Sequence, residues 1–209
     1  MDQEKLNKQS IYWEANFSKK PLMFGLAPSI AALSALKKFE EDNIKEIIEL
    51  GAGLGRDTVF FAENNIKVEA LDYSPTAIKI IDKKVKDNDF SDLVSTKHFD
   101  VRDKLPYKDN SIKGIFSHML YCMALTNAEI KKLNNEILRV LKPGGINIYT
   151  ARNNNDGDYK KGIHIREDMY ENDGFIINFF SEKKVNDLLE GFKNLSITNF
   201  EEGNFPRKL

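Results

Sequence analysis

Cysteine occurs once in the 209 residues, as Cys122, so the chain can form no internal disulfide and build no all-cysteine zinc cluster. That scarcity suits a reducing compartment, with the cytoplasm as the expected setting, and no metal site is called for. Net charge is equally scarce: 31 Lys and Arg against 32 Asp and Glu leave −1, too little for a whole-molecule field that draws in nucleic acid or anionic lipid. Long apolar runs are missing as well. No stretch approaches the ~20 apolar residues of a membrane span, and Met1 to Ser10 is polar and charged rather than apolar-centred like an export signal. These absences leave a small molecule as the expected partner, with no nucleic acid and no membrane, and with a homodimer allowed. What is present is 41% hydrophobic residues, enough for one continuous core and too few residues for two ordinary domains. Residues 1–209 are therefore expected to form a single domain.

Periodicity divides the chain into alternating elements. Ile30, Leu33, Leu36 and Phe39 recur at helical spacing after Pro28-Ser29, which predicts a helix from about Ser29 to Glu41. Ile44 to Leu50 reads as a strand that stops at glycines, and Asp57 to Asn64 as the helix leaving them. Lys67 to Leu71 is a second strand, followed by Ser74 as N-cap and Pro75 as first residue of a helix to about Lys86. Val94 to His98 and Ile112 to Ser117 are further strands, and Thr126-Asn127-Ala128-Glu129 has the spacing of a capping box opening a long helix. That helix ends at Lys142-Pro143-Gly144-Gly145. Ile146 to Thr150 is a fifth strand, Ser181 to Gly191 a last helix with Val185, Leu188 and Leu189 inward, and Leu195 to Phe200 a sixth strand.

Such alternation predicts an α/β fold, a doubly wound, mostly parallel sheet with helices on both faces, because parallel neighbours need crossover connections. Ligands then bind at the carboxyl ends of the strands. Two segments lie outside the sheet pattern. Residues 1–43 are expected as a helical cap or lid, and the polar, Asn- and Asp-rich stretch 151–180 as an active-site loop. The sequence stops at Pro206-Arg207-Lys208-Leu209, where an antiparallel partner for Leu195 to Phe200 would begin, so that last strand is missing or the chain is trimmed.

Gly51, Gly53 and Gly55 allow positive φ and bring a ligand against bare backbone. By themselves they also fit plain helix-to-strand packing. Asp72 ends the second strand about 20 residues further on, where a carboxylate can accept from ribose hydroxyls. Turn and acid together point to an adenosine. A dinucleotide would place pyrophosphate over the helix N-terminus, but Asp57 in the first helical turn opposes that charge, and Glu49 suits an ammonium. The signs favour S-adenosylmethionine over NAD.

Ile47 to Gly55 (IIELGAGLG) resembles motif I of the class I S-adenosylmethionine-dependent methyltransferases. Three later blocks are similar to that family's in order: Leu71-Asp72-Tyr73-Ser74, then Asp100 to Asp103 with Leu105-Pro106-Tyr107 and Asp109-Asn110-Ser111, then Leu138 to Gly145 (LRVLKPGG). The resemblance, spanning Ile44 to Thr150, implies a Rossmann-like fold and S-adenosylmethionine as cofactor. It implies that Glu49 and the Gly51 backbone take the methionine ammonium, Asp72 the ribose, and Tyr73 one adenine face, with Gly53 and Gly55 also against the cofactor. Asp100 would accept from the adenine amine, and Val101 would donate through its N–H, without any cation. Length and overall look are similar to small-molecule enzymes of the tellurite-resistance and thiopurine type.

Methyl transfer from a sulfonium is an in-line displacement that needs alignment and exclusion of water more than a base. By the same resemblance the residues after the fourth strand flank the methyl. They nominate Ser117 beside the cofactor and His118 and Tyr121 as catalytic, His118 because its ordinary pKa lies near neutrality. Cys122 reads as a small buried hydrophobe. Tyr12 and Trp13, with Phe17, Met23 and Phe24, would roof the acceptor or pack in the core, and Arg152, Tyr159, His164 and Arg166 would reach an acceptor carboxylate or oxyanion. The alternatives are a module that binds the nucleotide without chemistry, and an NAD-dependent oxidoreductase.

Overall fold

The structure, a computed structural model, describes residues 2–203 and 207–209. Helices α1 (Asp2–Lys19) and α2 (Ile30–Glu41) precede β1 (Glu46–Leu50), α3 (Arg56–Glu63), β2 (Lys67–Asp72), α4 (Pro75–Asp87), β3 (Val94–His98), β4 (Ile112–Ser117), α5 (Asn127–Val140) and β5 (Leu141–Tyr149). The five strands form one parallel sheet in the order β3-β2-β1-β4-β5. The chain winds outward from β1 in one direction, then crosses to β4, so the order reverses between β1 and β4. In a doubly wound sheet that reversal opens a crevice at the strand carboxyl ends.

Local chemistry accounts for these elements. Ser29 and Ser74 accept from the backbone N–H of Ala32 (2.9 Å) and Ala77 (3.0 Å), capping α2 and α4, and Pro75 opens α4 where its missing donor costs nothing. Thr126 and Glu129 form the reciprocal capping box of α5. Along β1 successive side chains face opposite ways: Ile47 joins α2, α3 and α4 through Phe39, Phe61 and Ile81, whereas Ile48 joins α5 through Ile130, Leu133 and Ile137. The sheet is thus covered on both sides, as alternation predicts.

Three expectations are corrected. The stretch taken as a loop, 151–180, contains an antiparallel meander of β6 (Ile163–Arg166), β7 (Met169–Asn172) and β8 (Phe175–Asn178). Asp173 (φ +49) and Gly174 (φ +85) make its two-residue turn, the Asp-Gly pairing whose positive φ values match the twist of a hairpin. The last helix is shorter than expected, α6 (Glu182–Asp187), with only Leu188 of its three inward residues buried. Leu195 to Phe200 is no strand of the sheet. Leu195 and Ile197 are exposed, and strand propensity without a paired neighbour does not hold a chain extended in a sheet. The chain instead turns back as a small hairpin, β9 (Glu201–Glu202) with β10 (Arg207–Lys208), closed by backbone bonds between Phe200 and Leu209 (3.2 and 3.0 Å). Among the described residues no helix is long and apolar enough to cross a membrane.

Candidate active site

A cleft of about 1160 Å³ lies over the carboxyl ends of the sheet. That exceeds the ~300–1,000 Å³ of an ordinary ligand pocket, leaving room for two small ligands. Its floor is the turn after β1. Gly51 (φ +70) and Gly53 (φ +54) line it, and a Cβ on Gly51 would stand 3.0 Å from Leu120. Gly55 (φ +73) does not. A Cβ there would meet Ile81 at 2.7 Å, so this glycine serves the approach of α4 rather than a ligand, contrary to expectation.

Three carboxylates follow one another across the strand ends. Glu49, from β1, is 3% exposed and accepts from Thr58 Oγ1 at 2.5 Å. Burial, reinforced by the Asp57 charge, raises its pKa well above the usual carboxylate range despite that hydrogen bond. Asp72, ending β2, accepts from Gly53 N–H at 2.8 Å and Ser74 N–H at 2.9 Å, one at each oxygen. Burial outweighs these donors and lifts it to about 6. Asp100, after β3, is half-buried. Burial pushes its pKa up, but the hydrogen bonds from Arg102 prevail and hold it below its ordinary value. Arg102 Nε lies 3.0 and 3.1 Å from the two Asp100 oxygens, and its Nη2 lies 2.6 Å from Oδ2, so the expected cation-free carboxylate has a bidentate cation. Tyr73 and Val101 also line this side.

Asp57, expected to repel a pyrophosphate, is 4% exposed. Both its oxygens accept from Ser29, through the backbone N–H and the hydroxyl at 2.7 Å each. It ties α3 to the start of α2.

The segment after β4 divides. His118 lines the cleft, with Nδ1 3.0 Å from Thr150 Oγ1 and Nε2 3.7 Å from Glu202 Oε1. Burial, with the charges of Arg56 and Arg207, pushes its pKa down to about 3, so near neutral pH it is an uncharged and weak base, unlike the near-neutral histidine expected. Ser117 is fully buried below the cleft, its Oγ without a partner among the described residues. Tyr121 is fully buried too, stacked on Tyr149 at 4.1 Å with its hydroxyl 3.3 Å from Asn134, and it does not reach the cleft. Cys122 is buried, as read from the sequence. We therefore expect Tyr121→Phe to leave turnover within about twofold and to cost at most ~1.5 kcal/mol of stability, the worth of one neutral hydrogen bond. A large loss of turnover with an unchanged melting curve would return Tyr121 to the chemistry.

The rest of the wall comes from α1 and from the segments after β5. Trp13 faces the cleft with Gln9, Phe17 and Phe24, whereas the Tyr12 hydroxyl donates to Asp173 O at 2.6 Å and the ring packs on Phe175, outside it. Arg152 lines the cleft at 4% exposure. Its guanidinium is spent on Asp156 (Nε to Oδ2, 3.0 Å) and Asp158 (2.6 Å). Tyr159 donates to Asp168 at 3.2 Å and packs on Phe179; it, His164 and Arg166 lie off the cleft. Residues passed over in the sequence also appear here: Arg56, Phe175 to Ile177, Glu202 and Arg207. The Asp173-Gly174 pair was a local signal for the hairpin that brings Phe175 inward. No local pattern marks Glu202, whose Oε1 accepts from Arg56 at 2.8 Å across 146 residues.

α1 is pinned to both halves of the cleft. Glu14 accepts from the hydroxyls of Ser74 and Thr76, and Asn7 accepts from Arg102 at 2.7 Å, on the side of Asp72 and Asp100. Gln9 donates to Gly174 O at 2.9 Å on the meander side.

Fold and cleft together define a doubly wound α/β domain that presents a nucleotide-sized cradle at its topological switch point. Residues 47–145 match the methyltransferase domain family. The chain is 32% identical over 184 residues to a phosphoethanolamine N-methyltransferase of Triticum aestivum, covering 80% of this chain and 35% of the wheat protein. It spans about a third or less of the length of the first curated relatives it matches. In fold it is similar to a SAM-dependent methyltransferase of Methanosarcina mazei (20% identity, TM-score 0.66, 78% of this chain and 87% of that one). It is also similar to the [4+2]-cyclase SpnF (17% identity, TM-score 0.65, 86% and 68%). The segment 47–145 is thus a methyltransferase domain, and the sheet and cleft built around it have the fold of the class I S-adenosylmethionine-dependent methyltransferases.

Proposed function

We propose that the chain, acting as one catalytic unit, transfers the methyl of S-adenosylmethionine in line to a small-molecule acceptor, with residues 1–43 as cap and 151–180 as acceptor wall. The observation that carries this is the row of carboxylates Glu49 and Asp72 on β1 and β2 and Asp100 just after β3, beside a glycine floor and below a cleft that continues over β4 and β5. When bound, the cofactor supplies an electrophilic methyl on a sulfonium, with a neutral thioether as leaving group. Asp72 retains a lone pair on each oxygen for the ribose hydroxyls, since Gly53 and Ser74 take one apiece. Glu49, which burial holds toward its protonated form, regains its charge beside an ammonium. Asp100 and Val101 take the adenine edge. His118, uncharged, orients the acceptor and accepts a proton only weakly. Trp13 and the rest of α1 exclude water. The similarity to phosphoethanolamine N-methyltransferases supports a small phosphate-bearing amine among acceptors to try.

Calorimetry tests the reading. Product nucleotide, S-adenosylhomocysteine, is expected to bind and NAD not to bind; tight NAD binding with none of the nucleotide would sink it. Methyl release to a panel of amines, thiols and phenols separates an enzyme from a silent binding module. A pH series adds a signature. The free Asp72 carboxyl sits at about 6, and ribose hydroxyls favour its ionised form, so its value falls on binding. Affinity is therefore full above that pH and lost as pH drops through it, by up to about tenfold per unit. The limb should persist in His118→Gln; a limb that moves with His118 would assign it elsewhere.

A further inference from the structure

The charges around the cleft are not evenly spent. Among the described residues five cations line it: Arg56, Arg102, Arg152, Lys161 and Arg207. Arg56 is taken by Glu202 and Phe24 O, Arg102 by Asp100 and Asn7, and Arg152 by Asp156 and Asp158. Arg207 and Lys161 have no carboxylate partner among the described residues. On the acceptor side Asp173 lacks a cation as well, but it stands at the β7–β8 turn against Tyr12 of α1, its carboxylate exposed.

Position separates the two free cations from the cofactor. In the sheet order β3-β2-β1-β4-β5, the carboxylates proposed for adenine, ribose and methionine stand at or just past the carboxyl ends of β3, β2 and β1. The far half, over β4 and β5, is left for the acceptor. Arg207 belongs there: its strand β10 pairs with β9, and its neighbour Lys208 donates to Asp156 at 2.8 Å and accepts from Asn153 N–H at 2.8 Å, both just beyond β5. The guanidinium charge reaches His118 and Cys122, after β4. Lys161 projects from the same post-β5 segment. An arginine held on an anchored strand, lining the same cleft as the apolar Met123, Phe175 and Ile177, suits the forked recognition of a phosphate or carboxylate.

We propose that Arg207, assisted by Lys161, holds an anionic group of the methyl acceptor, a phosphate or a carboxylate, over β4 and β5. This rests on the methyltransferase reading above. The test titrates inorganic phosphate, phosphoethanolamine and, as the control lacking the anion, ethanolamine into protein saturated with S-adenosylhomocysteine. The two phosphates should bind and ethanolamine bind more weakly. Arg207→Gln should weaken the phosphates by about tenfold and Arg207→Lys by less, with nucleotide affinity within about twofold of wild type. Arg207 is exposed, so the variant should fold, and an unchanged melting curve checks it. Wild-type phosphate affinity in Arg207→Gln, or no phosphate binding by the loaded wild type, overturns the proposal. So does a loss of nucleotide affinity instead, which would give Arg207 to the methionine carboxylate. Failure of the wild type to bind nucleotide at all would overturn the methyltransferase reading first.

Discussion

Asp72→Ala is expected to weaken S-adenosylhomocysteine binding by about 2 to 3 kcal/mol, a loss of roughly 30- to 150-fold. Two effects add. The ribose loses its charge-assisted acceptor, and the backbone donors of Gly53 and Ser74, which face Asp72 at 2.8 and 2.9 Å, lose theirs. The second effect loosens the floor itself, because Gly53 lies in the turn and Ser74 caps α4. Asp72→Asn should rescue little: its amide oxygen satisfies one donor while its NH2 confronts the other. Calorimetry at pH 7.5 with a parallel melting curve reads the two parts separately. Affinity within about twofold of wild type would remove the ribose from this carboxylate.

Arg152→Ala should cost about 3 to 5 kcal/mol of folding stability, the penalty for leaving a buried carboxylate without its cation. Arg152 and Asp156 are 4% and 5% exposed, and the pair knits the post-β5 turn to the end of the chain through Asp156 and Lys208. The remaining backbone donors to Asp156, from Asp158 and Lys208, place the effect toward the lower figure. Burial alone would raise the Asp156 pKa, yet the Arg152 hydrogen bonds dominate and depress it. A depressed carboxylate stabilises above its unfolded pKa, and that contribution is lost as pH falls. Denaturant unfolding should therefore show the variant losing most near neutral pH, and Asp156→Asn in the same background should recover part of the loss. Wild-type stability with a raised acceptor KM would restore Arg152 to the substrate-binding role that its sequence position suggested.

These two residues show what could be read in advance. Asp72 was legible because everything that defines it is local: a strand end, a glycine turn about 20 residues before it, and Ser74-Pro75 opening the next helix. The same holds for the caps of α2, α4 and α5 and for the order of strands and helices, since capping and periodicity act within a turn or two of chain. Arg152 looked free in the sequence because its partners Asp156 and Asp158 are engaged only once the loop curls back. Tyr121 looked available for the same reason: its stacking on Tyr149 depends on β4 and β5 being neighbours. The meander at Ile163 to Asn178 was half legible, through Asp173-Gly174, and was hidden by the polar composition around it.

By itself, the sequence of this protein determined the parallel α/β framework, the glycine turn at the end of β1 and the placing of Glu49 and Asp72 at neighbouring strand ends. Those depend on short-range backbone chemistry and on side chains fixed to strand ends. Only the tertiary structure decided which charges remain available. Pairing across 146 residues neutralises Arg56 with Glu202, whereas Arg207 returns next to the segment that follows β5, without a carboxylate among the described residues. Electrostatic availability is a property of neighbours in space, and the fold alone chooses those neighbours.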